Sequence, residues 1–164
     1  MRDERTSEGD CAAVLLVGAT PRDARVVSCG LKREDVSVDV AADVRTAIDR
    51  LTAGSDAEAA LPTLVVLDLT TNPADSLTVL KAIRASPRLG TLPTVALVNH
   101  TVPTDETRKR VRRAYECGVN GHVAGADDIK GYADAIQAMT TFWFDRVSVP
   151  PKSLYFDGPS IEYD

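Results

Sequence analysis

The chain of 164 residues predicts one α/β domain, a doubly wound parallel sheet of five strands between two layers of helices. Three observations predict it. Short apolar runs alternate five times with amphipathic stretches of helical period. The runs are continuous rather than alternating, as in strands covered on both faces. A hydrophobic fraction of 44% supplies one sizeable core, and the length leaves little room for a second domain.

The elements follow in order. Residues 1–10 are polar and aperiodic and read as a flexible tail, 11–146 as the domain, and 147–164 as a C-terminal extension. Ala12 to Val17 is the first strand, closed by Gly18. Thr20-Pro21-Arg22-Asp23 opens the first helix. Thr20 suits the N-cap, Asp23 suits N3, and Pro21 suits N1, where a missing N–H costs nothing. Val36 to Val40 is the second strand. Asp43 caps the second helix, whose Val44, Ala47, Ile48 and Leu51 share a face, and Gly54 ends it. Leu64 to Leu69 is the strongest strand. Leu77, Leu80 and Ile83 mark the third helix, which ends before Pro87. Thr94 to Val98 is strand four, and Thr104 to Cys117 is helix four, ended by Gly118. Val119 to Ala124 is strand five, and Asp127 to about Phe144 is helix five.

Composition excludes several classes. With 19 basic and 24 acidic residues the net charge is −5, which does not suit a protein that coats nucleic acid or anionic membrane. Three cysteines, Cys11, Cys29 and Cys117, with no CxxC or CxC pair, make neither a disulfide framework nor a standard zinc site. No apolar run reaches the roughly 20 residues of a membrane helix. Acids precede the first apolar run, where a signal peptide carries basic residues. A cytoplasmic location is expected.

In a doubly wound sheet, chemistry gathers at the C-terminal strand ends. Asp68 is the one acid ending a central strand. It is read as a phosphoryl acceptor, as half of a metal site, or as a cap on backbone N–H groups of the following loop. Asp23 fits helix capping better than a displaced metal acid, and Asp127 and Asp128 complement a helix dipole. Neither His100 nor His122 has a ligand cluster around it, and Cys117 near His122 lacks further ligands. Cys29 and Cys117 read as small buried residues on helix faces. Arg108, Lys109, Arg110, Arg112 and Arg113 make helix four basic, with Val111, Ala114 and Tyr115 facing inward. This cluster is either a solvated face or a docking surface. Seven of the eight aromatic residues lie after residue 131, which suits an interface.

Four blocks carry a resemblance. They are Val-Leu-Leu-Val-Gly-Ala-Thr-Pro-Arg-Asp (14–23), Leu-Val-Val-Leu-Asp-Leu (64–69), Leu-Pro-Thr-Val-Ala-Leu-Val (92–98) and Gly-Val-Asn-Gly-His-Val (118–123). Together they resemble the receiver domains of two-component response regulators over about residues 12–149. Residues 115–120, and 142–144 followed by 147–150, are similar to the single-domain group that partners phytochrome-like histidine kinases. The resemblance implies a flavodoxin-like sheet of order 2-1-3-4-5 with Asp68 in the acceptor position. It also exposes departures. The family's two Mg²⁺-binding acids match Gly18 and Ala19, its hydroxyl on strand four matches Val98, and its Lys on strand five matches Gly125. Its aromatic switch position matches His122, and the glycine after its acceptor matches Ser76.

Phosphoryl transfer to a carboxylate needs cations to hold the equatorial oxygens. One lost preorganised donor costs about 3–4 kcal/mol. The expected function is therefore an atypical (pseudo-)receiver, a protein–protein interaction module and not an enzyme. It would bind a sensor histidine kinase or another signalling protein, without ordinary Mg²⁺-dependent phosphorylation and with no catalytic residue, metal or cofactor. The expected interaction surface is Arg108, Arg112, Asp127, Asp134, Phe142, Trp143, Phe144, Tyr155 and Phe156, through which helices four and five form a homodimer. One alternative is a working single-domain response regulator that uses Mg²⁺ and is phosphorylated on Asp68 by a histidine kinase. Another is a regulator that binds nucleic acid through helix four; the net charge and the lack of interleaved aromatics speak against it.

Overall fold

The computed structural model describes residues 12–31, 36–52, 61–70, 72–98, 104–124 and 129–146. Its elements are β1 (Ala12–Val17), α1 (Pro21–Leu31), β2 (Val36–Ala41), α2 (Val44–Thr52), β3 (Leu64–Asp68), α3 (Pro73–Ala85), β4 (Thr94–Val98), α4 (Asp105–Glu116), β5 (Gly121–Ala124) and α5 (Ile129–Thr141). A π-helical turn, Phe142–Arg146, continues α5. All strand pairs are parallel and the order is β2-β1-β3-β4-β5, as expected. The two tails, and His100, Gly125, Asp127, Asp128, Tyr155 and Phe156, for which the sequence raised expectations, lie outside the described residues. Among the described residues, no helix is long and apolar enough to cross a membrane.

Successive strand residues point to opposite faces, so the sheet builds two cores. Leu15, Val17, Val65, Leu67 and Ala96 pack on one face with Leu51, Leu80 and Ala114 of α2, α3 and α4. Val14, Leu16, Val66 and Leu97 pack on the other with Val27 of α1 and Tyr132 and Ile136 of α5. Helices α1 and α5 approach closely at Gly30, where a Cβ would lie 2.8 Å from Ile136 Cγ2. Every residue of β3 and β4 is buried, as the continuous apolar runs require. The edge strands differ. β2 and β5 mix buried or half-buried residues with exposed ones, because an edge strand lies at the margin of the covering helices.

The caps read from sequence are present: Thr20 Oγ1 accepts from the Asp23 N–H at 3.2 Å and Asp43 Oδ1 from the Thr46 N–H at 2.7 Å. Thr104, expected as the first residue of helix four, is instead its cap, accepting from the Thr107 N–H at 3.1 Å. The Thr46 bonds hold the Asp43 carboxyl below its ordinary value. One cap escaped the reading: Asn72 caps α3 with Pro73 following it.

Several expectations are corrected. Strand five starts at Gly121, not Val119, because the preceding residues are spent on a turn. The Val119 N–H donates to Ala114 O at 3.0 Å and the Asn120 N–H to Thr94 O at 2.8 Å. Helix five keeps α-helical geometry only to Thr141. Cys29 is exposed rather than buried. Tyr115, expected to face inward, is 46% exposed.

Arg84 at the end of α3 ties the far end of the sheet together. Its Nε donates to Gly118 O at 2.8 Å, and one terminal nitrogen donates to Gly90 O and Leu92 O at 2.9 and 2.8 Å. The other reaches Asn120 Oδ1 at 2.9 Å, an atom that also accepts the Thr94 N–H at 2.8 Å. Gly118 has a φ of +103°, and a Cβ there would lie 3.1 Å from the Arg84 side chain. Two loops, α3–β4 and α4–β5, thus share one guanidinium. Arg84→Ala is expected to lower stability by about 3 kcal/mol in urea unfolding, since it strands several carbonyls at once. A loss below about 1 kcal/mol would show that water replaces the guanidinium.

Candidate functional site

The site is built where β1 and β3 end. Asp68 is the last residue of β3 and only 1% exposed. The Leu69 N–H still pairs with Leu97 O at 2.9 Å, so the strand's ladder carries past Asp68. Asp68 Oδ1 accepts the Thr70 N–H at 2.8 Å, the loop-capping contact that the sequence allowed. Burial raises the Asp68 carboxyl above its ordinary value of 3.8. Hydrogen bonds from Thr70 oppose that rise, and the like charge of Asp23 adds to it. Asp23 is thus a second acid within electrostatic reach of Asp68. Thr20 supplies the cap, and the Asp23 carboxylate is left to act on its neighbours.

Tyr132 of α5 completes this corner. It is 3% exposed, and its buried hydroxyl has no hydrogen-bond partner among the described residues. Burial, and then the charges of Asp68 and Asp23, push its phenol well above the ordinary value. Its ring packs in the same apolar cluster as Ala19 and Ala24. A divalent cation that keeps several waters can be held by one or two carboxylates; here Asp68 and, within electrostatic reach, Asp23 are those on offer, and positions 18 and 19 supply no side-chain oxygen. Among the described residues, no three His, Cys, Asp or Glu side chains come together to hold a metal ion.

Gly18 and Ser76 form one contact. Gly18 has a φ of +80°, and its N–H donates to Ala41 O at 3.0 Å. A Cβ at position 18 would lie 2.6 Å from Ser76 Oγ, which donates to Asp68 O at 2.7 Å. Ser76 occupies the space that a side chain on residue 18 would enter. From α4, Arg110 reaches the same loop. One of its terminal nitrogens donates to Thr70 O at 3.2 Å and approaches Leu69 O at 3.5 Å. Its buried Nε lacks a hydrogen-bond partner and lies 3.9 Å from a Glu106 oxygen. One of the five basic residues on helix four is thus half-buried and turned inward, which corrects the reading of the cluster as a surface patch.

The remaining predicted residues are placed elsewhere. Val98 is buried on the α4 side of the sheet, in the same apolar cluster as Leu69 and Ala96. With His122 and Ala124 of β5 and Thr107, Arg108, Val111 and Arg112 of α4, it lines a cavity of about 310 Å³. His122 is exposed; its Nδ1 lies 2.9 Å from the Tyr115 hydroxyl, and the rings meet edge-to-face at 5.6 Å. Arg108 pairs with Asp105 at 3.4 Å and Arg112 with Glu116 at 3.2 Å. Asp134 is exposed on α5. The aromatic run divides: Trp143 and Phe144 pack partly on the domain's own core, while Phe142 is 49% exposed and stacks edge-to-face on Trp143 at 5.7 Å. Sequence reasoning missed Tyr132 and Arg110 as site residues. Neither stands in a motif, and only folding brings them to the loop after Asp68.

No protein-family model matches the chain. Among curated proteins, it is similar to the response regulator Rcp1 of Synechocystis sp., with 29% identity over 89 residues, 54% of this chain and 57% of that protein. The match thus spans little more than half the length of that relative. The fold is similar to the Mn²⁺-bound form of Rcp1, with a TM-score of 0.69 and 27% identity over 85% of this chain and 99% of that one. It is also similar to the phosphorylated cyanobacterial phytochrome response regulator RcpA, with a TM-score of 0.71 and 23% identity over 85% and 98% of the two chains.

Two predictions follow from this geometry. The folded state disfavours a charged Asp68, because its value is raised above 3.8. That penalty is absent below the unfolded value and grows as pH rises through the folded one. Asp68→Asn keeps an acceptor for Thr70, so it is expected to melt higher than wild type at pH 7, with the gain fading in acid. An equal gain at every pH would contradict the charge argument. Separately, Gly18→Ala is expected to cost about 1–3 kcal/mol through its positive φ and the Ser76 contact. Adding Ser76→Gly should recover part of that loss in a double-mutant cycle, and strict additivity would show that the contact is not shared.

Proposed function

We propose that the chain, whose sequence and fold are similar to response-regulator receiver domains, is an atypical receiver, a signalling module that binds other proteins without ordinary Mg²⁺-dependent phosphorylation. The observation that carries this reading is the closure of the acid position. Residue 18 is a glycine at positive φ, and Ser76 Oγ occupies the volume its side chain would need. An acceptor carboxylate alone gives an incoming phosphoryl group no cation to spread its charge onto. Rcp1 and RcpA, whose solved structures hold Mn²⁺ and a phosphoryl modification respectively, are the comparison the proposal must be weighed against. In this chain Asp68 has one further acid within electrostatic reach, and the positions that match the family's two acids, Gly18 and Ala19, add no side-chain oxygen.

The partner class is a sensor histidine kinase or a protein of the same pathway. Arg110 supports a single persistent conformation, because it joins α4 to the carbonyls of the loop after Asp68. The test exposes wild type and Asp68→Asn to acetyl phosphate, and to beryllofluoride, each with Mg²⁺. Intact mass reads the covalent adduct and Trp143 fluorescence reads any conformational response. The expected result is no adduct and no fluorescence change in either protein. An adduct confined to wild type would overturn the reading and make the chain a working phosphoacceptor.

A further inference from the structure

The cavity between α4 and β5 is not used by any step above. Its floor is apolar: Val98 from β4, Val111 from α4 and Ala124 from β5. Its volume of about 310 Å³ lies at the lower end of the range for small-molecule sites. The polar groups on its walls are mostly spoken for. Thr107 Oγ1 shares a hydrogen bond with Thr104 Oγ1 at 2.9 Å. His122 Nδ1 is held by the Tyr115 hydroxyl at 2.9 Å. Among the described lining residues, the remaining recognition chemistry is positive. Arg108 and Arg112 stand one helical turn apart on the cavity's side of α4. Each makes an exposed ion pair on its own helix, using one nitrogen of a guanidinium with five N–H donors. Such pairs are weak and are easily exchanged for another anion.

We propose that this cavity binds a small apolar monocarboxylate, with its hydrocarbon body over Val98, Val111 and Ala124 and its carboxylate on Arg108 and Arg112. A neutral polar ligand would forfeit water without finding donors or acceptors on the floor. A cation would meet two guanidiniums at the rim. An apolar acid satisfies both parts, and bidentate pairing with guanidinium adds orientation. The site is distinct from Asp68, so the proposal stands whether or not Asp68 takes a phosphoryl group.

The test uses the full chain and three probes with one tail: octanoate, 1-octanol and octylammonium. Binding is read from amide shifts of residues 98, 111 and 124 in heteronuclear NMR spectra. Octanoate is expected to bind saturably, at least tenfold tighter than octanol, and octylammonium weakest. The double variant Arg108→Gln/Arg112→Gln should level the three, while Ala124→Leu, at an exposed position on an edge strand, should weaken octanoate and octanol alike. A dispersed amide spectrum confirms that each variant is folded. The absence of saturable octanoate shifts at millimolar concentration would overturn the proposal. So would equal affinity for all three probes in wild type, which would mark a plain apolar hollow suited to a partner's side chain.

Discussion

A buried carboxylate whose charge is opposed by desolvation and by a second acid is the constraint on which the C-terminal edge of this sheet depends. Asp68 is carried inside by β3, a strand buried along its whole length. Its charge is opposed by desolvation and by Asp23, and supported chiefly by two hydrogen bonds from Thr70. An isolated buried charge is unfavourable, so the local structure must either supply donors or tolerate a raised pKa. Here it does both. The loop turns back so that the Thr70 N–H meets the carboxylate, and the remaining imbalance appears as a raised titration point.

The surrounding packing fixes that arrangement in place. Ser76 Oγ holds the Asp68 carbonyl and, with the same atom, fills the space beside Gly18. The departures from the family pattern at positions 18 and 76 are therefore coupled through one contact. A side chain could return to position 18 only if Ser76 gave way, and the positive φ of Gly18 would still have to change. Arg110 braces the next two carbonyls from α4. A loop held from both sides has few alternative positions, which is the opposite of what a two-state switch needs.

Much of this was legible in the sequence, for physical reasons. Continuous apolar runs fixed the central strands, because both of their faces are covered by helices. Thr20 and Asp43 announced two helix starts, because capping is a local bond between near neighbours. The position of Asp68 followed from the sheet order. Tyr132, Arg110 and the Gly18–Ser76 contact were not legible. Each is a long-range meeting, between α5 and β3, α4 and the β3–α3 loop, and β1 and α3, and no periodicity encodes it. The edges also misled the reading. A run such as Val119 to Ala124 looks like one strand, yet its first residues close the turn that Arg84 and Asn120 organise.

The helix α4 reconciles a fixed loop with an available surface. Residues on a helix advance about 100° each, so Arg108 and Arg112 share a side while Arg110 faces away from them. The structure uses both sides: Arg110 goes to Leu69 and Thr70, and Arg108 and Arg112 go to the cavity over Val98. One side anchors the helix to the sheet's chemistry-bearing edge, and the other is presented in a fixed orientation. Presenting a fixed surface removes part of the ordering cost that a flexible one would bring to binding. The inward arginine is what keeps the outward surface of this helix defined.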